Sequence, residues 1–168
     1  MLSVVAANPI TDQSATEDAA FSFTFNSNAF VNQTTPNDLS YVATSGNGNA
    51  LPMWLSFNAQ TRTFAGTPTN SDVGSIDVTV TASDSSKASA SDTFKLAVTN
   101  TNDAPTVANP ITDRTAARNQ VFSFTVPSNT FADVDAGDSL SYSARKSNGD
   151  PLPSWLSFDA SMQKFSGT

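Results

Sequence analysis

The sequence predicts an all-β chain made of two tandem antiparallel β-sandwiches, the second ending after about five strands. The first observation is strict alternation of apolar and polar residues in many short runs, which is typical of strands with one buried face. The second is the turn-forming clusters that separate these runs at regular spacing. The third is an internal repeat: residues 7–67 align without a gap on residues 108–168 and match at about half of the positions.

The first repeat, residues 1–103, has the length of one complete sandwich. Its clearest strand alternates Phe21, Phe23 and Phe25 with small polar residues, and we expect these phenylalanines in the core. No window favours a helix. The predicted strands lie near 8–10 and at 21–25, 39–43, 54–57, 62–65, 76–82 and 93–98.

The second repeat, residues 104–168, carries predicted strands at 122–126, 140–144, 155–158 and near 164–165. It stops at Thr168, before counterparts of the last two strands of the first repeat. We therefore expect the second half to be unable to fold alone, and to be partly molten or to borrow strands from a neighbouring molecule. Residues 1–7 lack the features of a signal peptide and match residues 104–108, so we interpret them as the first strand of a repeat. The chain is expected to be cut from a longer protein at both ends.

The charge balance limits the classes of partner. The chain has 15 acidic and 8 basic residues, a net charge of −7, which repels nucleic acid and anionic lipid and suits a cation or a neutral partner. It contains no histidine and no cysteine. No serine stands in a Ser-Lys motif and no carboxylate pair lies outside turns, so we predict that the chain is not an enzyme.

Several motifs together resemble a known family. They are Asn8-Pro9-Ile10-Thr11-Asp12-Gln13, Leu51-Pro52-Met53-Trp54-Leu55-Ser56-Phe57, Thr61-Arg62-Thr63-Phe64-Ala65-Gly66-Thr67-Pro68, Asp72-Val73-Gly74 and Thr81-Ala82-Ser83-Asp84. In combination they resemble the dystroglycan-type cadherin-like domain and the related immunoglobulin-like modules of bacterial surface proteins. The resemblance covers the first repeat and all of the second that is present.

This resemblance implies an Ig/cadherin-like sandwich in a large secreted or membrane-anchored surface protein, located outside the cell. It further implies a role in cell adhesion or as a stalk, with other cadherin-like repeats, on the same or another surface protein, as partners. The alternative function is a carbohydrate-binding or spacer module appended to a secreted polysaccharide-degrading enzyme. The two tryptophans, Trp54 and Trp155, bear on this alternative: we expect them to pack in or near the core, but if exposed they could stack on sugar rings.

The acidic residues near the boundary of the repeats predict a calcium site. Successive strand reversals place Glu17, Asp72, Asn102 and Asp103 at one pole of the first sandwich, and the loop Asp133-Val134-Asp135-Ala136-Gly137-Asp138 at the facing pole of the second. Calcium takes six to eight oxygen ligands in a flexible arrangement, and Asp133, Asp135 and Asp138 can supply carboxylates around the bend that Gly137 permits. By resemblance, Glu17, Asn102, Asp103, Asp133 and Asp135 match the cadherin calcium motif position by position, and Asp72 and Asp138 are further candidates.

The two repeats differ at these positions. The first has Val31 to Asp38 where the second has the acidic loop, and the second has Arg118 where the first has Glu17. We therefore expect one Ca²⁺ site or cluster at the joint and none at the outer poles, with a weak affinity in the range of roughly 0.1–1 mM. The simpler interpretation, in which these residues only form turns and keep the surface soluble, stays open.

Overall fold

The computed structural model describes residues 4–36 and 38–168, so Met1–Ser3 and Asn37 of the predicted elements lie outside the described residues. The described chain is all-β, as predicted, and contains fourteen strands and one 3₁₀ turn. It divides into two compact units, Met1–Thr101 and Asn102–Thr168. None of the described segments is a helix with the length and apolar character needed to cross a bilayer.

The first unit contains nine strands and the 3₁₀ turn Asn70–Asp72. The strands are β1 (Val4–Ala6), β2 (Gln13–Thr16), β3 (Phe21–Thr24), β4 (Phe30–Asn32), β5 (Ser40–Ser45), β6 (Leu55–Asn58), β7 (Thr63–Gly66), β8 (Gly74–Ser83) and β9 (Ser89–Thr99). They form a four-stranded sheet in the order β2-β9-β8-β5, a three-stranded sheet in the order β3-β7-β6, and the pair β1-β4. All pairs are antiparallel except β2 and β9, which run parallel.

The core of the first unit lies between the two larger sheets. Phe64 on β7 has no exposed surface, and Phe94 on β9 is 2% exposed. The two rings meet across the core with centroids 5.6 Å apart, and Phe23 lies 5.9 Å from Phe94. The predicted inward face of strand 21–25 is therefore present, with Phe25 3% exposed and Phe23 packed against the core.

Residues 1–7, interpreted as the first strand of a repeat, contain β1, but the prediction of a strand near 8–10 was wrong. The chain instead forms β1 before this segment and β2 after it, because Pro9 has no N–H to give to a sheet. The groups around Pro9 find other partners: Ala7 and Asn8 both donate their backbone N–H to the carbonyl of Ala29, and Ile10 donates to the carboxylate of Asp92. This bend transfers the chain from β4, the partner of β1, to β9, the partner of β2.

The second unit contains β10 (Thr106–Val107), β11 (Phe122–Thr125), β12 (Phe131–Ala132), β13 (Leu156–Asp159) and β14 (Lys164–Gly167). The strands β11, β14 and β13 form an antiparallel sheet in that order, and β10 pairs with β12. Its aromatic packing repeats that of the first unit, with Phe158 and Phe165 at 4.6 Å where Phe57 and Phe64 lie at 4.5 Å.

The predicted strand at 140–144 is not a strand in the structure. Among the described strands, its counterpart in the first unit, β5, is hydrogen-bonded only to β8. The described part of the second unit has no strand equivalent to β8, so the backbone of 140–144 has nothing to pair with despite its alternating sequence. The prediction that this half cannot fold alone stays a prediction.

Candidate metal site

The acidic loop of the second unit forms the densest group of carboxylates in the described chain. Asp133, Asp135 and Asp138 each offer a carboxylate oxygen, and these oxygens all lie within 4.8 Å of one another. Like charges this close repel each other unless a cation or donor neutralises them. The loop thus brings together three of the residues that the sequence singled out.

Local sequence explains how the loop reaches this shape. The loop follows β12, and Asp133 accepts a hydrogen bond on Oδ1 from the backbone N–H of Asp135 at 3.0 Å, which closes a tight turn. The backbone N–H of Asp138 donates to the carbonyl of Asp135 at 3.3 Å. Gly137, between them, has φ of +101°, a conformation that side chains with a Cβ rarely adopt.

Asp135 is the member of the loop that the fold buries, with only 5% of its surface exposed. Its Oδ2 accepts a hydrogen bond of 2.6 Å from the backbone N–H of Asp103. Its Oδ1 is buried and has no hydrogen-bond partner among the described residues. A buried carboxylate oxygen without a partner is costly, so its surroundings favour a bound cation.

The two linker residues lie beside this loop within the second unit. Asp103 is half-buried and supplies the N–H that holds Asp135. Asn102 is exposed, and its side-chain amide donates to the carbonyl of Asp103 at 2.8 Å. The structure therefore places Asn102, Asp103, Asp133, Asp135 and Asp138 in one unit.

Glu17 and Asp72 belong to the first unit and have different surroundings. Glu17 is 1% exposed, and its Oε1 accepts a hydrogen bond of 2.5 Å from the backbone N–H of Thr101. Its Oε2 is buried without a partner among the described residues, as Oδ1 of Asp135 is. That Glu17 shares an ion with the acidic loop stays a prediction.

Asp72 has a structural role that the sequence did not indicate. Its Oδ2 accepts hydrogen bonds from both the backbone N–H and the hydroxyl of Thr69, at 2.9 and 2.8 Å, and so holds the start of the 3₁₀ turn. That carboxylate oxygen is already satisfied, and the residue is half-buried. Its role as a ligand stays a prediction.

In the first unit, the equivalent positions hold a hydrogen-bond network around the neutral side chain of Asn32. Asn32 is 1% exposed, and its Oδ1 accepts the backbone N–H groups of Thr34 and Thr35. Its Nδ2 lies 2.9 Å from Oγ1 of Thr35, 3.3 Å from the carbonyl of Asp38 and 3.4 Å from Oδ2 of Asp84. One amide group thus contacts the oxygens that converge at this pole.

The tryptophans pack against strand phenylalanines. Trp54 is half-buried and meets Phe21 edge-on at 6.3 Å, while Trp155 is 45% exposed and meets Phe122 edge-on at 6.4 Å. Trp54 fits the expected packing near the core, whereas Trp155 is exposed although its ring contacts Phe122. Stacking on sugar rings, which the alternative function requires, stays a prediction for both.

All ligand atoms of the acidic loop are oxygens. Carboxylates and backbone carbonyls suit a hard cation such as calcium or magnesium, and the chain has no thiol or imidazole to offer a softer metal. The donor set with its unpartnered Oδ1 of Asp135 therefore fits a calcium ion.

Comparison with known proteins gives matches along the whole chain. The family model described as "Putative Ig domain" matches residues 3–99 and again residues 104–168. A curated relative, the "Serine-rich adhesin for platelets" of Staphylococcus aureus, is 34% identical over 141 residues, which cover 84% of this chain. The match spans only 6% of the length of that adhesin.

Two solved structures align with nearly the whole of this chain. The extracellular domain of protocadherin gamma-B4 aligns over 99% of this chain and 29% of its own, with 16% identity and a TM-score of 0.56. An endo-fucoidan hydrolase of glycoside hydrolase family 107 aligns over 98% of this chain and 24% of its own, with 24% identity and a TM-score of 0.48.

Proposed function

The chain belongs to the Putative Ig domain family, and we propose that it is a calcium-binding adhesion or stalk module of a secreted or surface-anchored protein. The calcium ion is held by the acidic loop of the second unit. The module performs no turnover: it presents and supports binding surfaces outside the cell. Its partners are other repeats of the same kind, on the same or another surface protein.

The observation that carries the calcium proposal is the buried carboxylate of Asp135. One of its oxygens has no partner among the described residues, and carboxylates of Asp133 and Asp138 lie within 4.8 Å. Three carboxylates give the ion at least three of the six to eight oxygens it requires, and backbone carbonyls and water complete such sites in proteins. Bound calcium supplies the positive charge that offsets the repulsion among them.

The adhesive part of the proposal is supported by similarity. Ig-like sandwiches recur in cell-surface proteins, where they hold loops and edges for recognition. The 34% identity to a staphylococcal adhesin is consistent with that use, although fold alone does not determine function. A passive spacer would share the fold but would not need the buried carboxylate.

The test is a calcium titration by calorimetry on the full chain. We expect saturable binding with a dissociation constant of roughly 0.1–1 mM, the range of extracellular calcium modules. The variant with Asp133→Asn and Asp135→Asn should lose this binding. A matched control with Asp113→Asn and Asp150→Asn removes two charges from exposed positions of the same unit and should bind as the parent does.

Two outcomes would contradict the proposal. Absence of binding up to about 10 mM calcium, far above the expected range, would leave a calcium-free spacer. Equal loss of binding in the control variant would show that net charge attracts calcium and that the loop forms no defined site.

A further inference from the structure

The first unit has an open cleft that the calcium site does not involve. The cleft has a volume of about 470 Å³ and lies between the segment before β5, the start of β5 and the hairpin that joins β6 to β7. Tyr41 of β5 and Arg62 of the hairpin both line it. Small-molecule sites in proteins range over about 300–1,000 Å³, so the cleft can hold a ligand of one or two sugar units.

Arg62 gives this cleft an unpaired positive charge. The residue is half-buried, and its Nε is fully buried with no hydrogen-bond partner in the described part of the chain. No carboxylate among the described residues lies within 4.0 Å of its guanidinium group, although the chain has 15 acidic residues. Because Nε is closed to solvent, an anionic ligand in the cleft would pair with the terminal nitrogens of the guanidinium, whose charge no described carboxylate neutralises.

The other polar groups of the cleft suit a hydroxylated ligand. Ser27, Gln60 and Tyr41 line the cleft, and their side chains make no hydrogen bond to a described residue. Together they offer two hydroxyls and one amide that can both donate and accept. The ring of Tyr41 is held in place by contacts with Phe25 and Phe30, at 5.5 and 6.1 Å between centroids.

We infer that this cleft binds an acidic sugar, whose carboxylate pairs with the guanidinium of Arg62 and whose hydroxyls bond to Ser27, Gln60 and Tyr41. The planar guanidinium matches a carboxylate with two parallel hydrogen bonds, which a neutral sugar cannot form. A peptide carboxylate would use Arg62 equally well but would leave the hydroxyl and amide groups without partners. The inference does not depend on calcium binding by the second unit.

The second unit provides a natural control for Arg62. Its equivalent hairpin has Gln163 in the same position, and both residues adopt the left-handed backbone conformation, with φ of 57° for Arg62 and 53° for Gln163. The hairpin therefore accommodates either side chain, and Arg62→Gln removes the charge without changing what the backbone requires. The variant Arg62→Lys retains the charge but loses the planar fork.

The experiment compares glucuronic acid, glucose and acetate as probes of the full chain in calcium-free buffer. Binding is followed by the amide resonances of residues that line the cleft in ¹H–¹⁵N spectra. We expect glucuronic acid to bind about tenfold or more tightly than glucose or acetate. Arg62→Gln should weaken glucuronic acid binding by about tenfold or more, and Arg62→Lys should lie between, since a charged hydrogen-bonded pair is lost or impaired. The Asp133→Asn, Asp135→Asn variant should bind glucuronic acid as the parent does.

Each alternative result overturns the inference in a defined way. If no probe shifts the cleft resonances at concentrations up to about 50 mM, beyond weak-binding ranges, the cleft is not a site. If Arg62→Gln binds as tightly as the parent with an otherwise unchanged spectrum, Arg62 does not recognise the ligand. If acetate binds as tightly as glucuronic acid, the cleft takes carboxylates in general and the assignment to a sugar is wrong.

Discussion

The backbone N–H of Asp103 donates a 2.6 Å hydrogen bond to Oδ2 of Asp135, a carboxylate that is only 5% exposed. This contact fixes the start of the second unit to the acidic loop and turns the opposite oxygen, Oδ1, to a position without a partner among the described residues. A bond to the main chain does not depend on the side chain of residue 103. The loop is therefore prearranged by the backbone, and a cation would meet oxygens that are already in place.

Calcium should stabilise the second unit. A ligand that binds only the folded state adds RT ln(1 + [L]/Kd), so about 10 mM calcium with a dissociation constant of roughly 0.1–1 mM adds about 1.4–2.7 kcal/mol. Each unit contains one tryptophan, Trp54 or Trp155, so Trp54→Phe leaves a fluorescence signal from the second unit alone. The measurement is urea unfolding of this variant with calcium and with chelator. An equal shift in the Asp133→Asn, Asp135→Asn background would mean that calcium acts elsewhere.

Glu17→Gln tests whether the buried glutamate takes part in ion binding. Glutamine retains an oxygen for the N–H of Thr101 but removes the charge of a side chain that is 1% exposed. Without calcium, we expect the free energy of unfolding of the first unit to change by less than about 1 kcal/mol, because the cost of burying the charge is removed together with the extra strength that the charge gives the bond from Thr101. If Glu17 is a ligand, the calcium dissociation constant should rise several-fold in calorimetry. An unchanged constant would limit the site to the second unit.

The phenylalanines at equivalent positions of the two repeats should differ in their contribution to stability. Phe64 has no exposed surface and contacts Phe94 of the facing sheet, whereas Phe165 is half-buried and its ring contacts are with Phe124 and Phe158 of its own sheet. Phe64→Ala should cost about 3–5 kcal/mol in the first unit, and Phe165→Ala about 1–2 kcal/mol in the second. Urea unfolding followed by Trp54 or Trp155 measures each. Equal costs would show that the second unit has a core as complete as the first.

Gly66→Ala should destabilise the first unit. A Cβ at Gly66 would lie 1.8 Å from the carbonyl oxygen of Trp54. This oxygen belongs to the backbone, so a change of side-chain rotamer cannot relieve the clash. The resulting displacement should cost about 1–3 kcal/mol, as overpacking does elsewhere. Thermal unfolding of the full chain provides the measurement. The control is Ser22→Ala at an exposed position of β3, which should change the stability little.

Acid should weaken the hairpin between β13 and β14. The hydroxyl of Ser161 donates to Oδ1 of Asp159 at 2.7 Å, and this bond, with the N–H of Met162, lowers the pKa of Asp159 below its ordinary value of 3.8. Because the folded state lowers this pKa, the contribution to stability is present above pH 3.8 and is lost as the pH falls through the lowered value.

Substitution at the donor checks this assignment. Ser161→Ala removes the largest cause of the shift, so the pKa of Asp159, measured by its carboxyl carbon resonance, should rise toward 3.8. Asn58 occupies the equivalent position of the first unit and makes the same type of bonds to Gln60 and Thr61 without a titratable group. The corresponding hairpin of the first unit should therefore show no such acid dependence. A pKa that is unchanged in Ser161→Ala would rule out the Ser161 hydroxyl as the main cause of the shift.

The alternating pattern predicted most of the strands because a strand with one buried face has an apolar residue at every second position. It predicted 21–25, where the structure has β3 at Phe21–Thr24, and 76–82, where it has β8 at Gly74–Ser83. It failed where pairing depends on distant residues. The alternation at 140–144 is as regular as that of β5, yet only β5 has β8 beside it.

The candidate site was predictable in its residues but not in its environment. The spacing of Asp133, Asp135 and Asp138 indicated carboxylates around a bend, and they lie within 4.8 Å of one another. Burial of Asp135 could not be predicted, because it depends on packing around the loop and on a backbone donor 32 positions away in the sequence. Arg62 was visible only as part of a family motif. The cleft beside Arg62 is lined by residues that are distant in the sequence, so no local pattern could predict it.

The parallel pairing of β2 with β9 has a mechanical consequence. Gln13 to Thr16 lie alongside Leu96 to Thr99, and the two strands run in the same direction, one near the beginning of the first unit and the other at its end. Tension applied through the two ends of this unit would slide these strands past each other, so that all the bonds of the ladder resist at the same moment. In an antiparallel pair pulled from one end, the hydrogen bonds between the strands would break one after another. The first unit should therefore resist tension along this pair of strands more strongly than an antiparallel pair would.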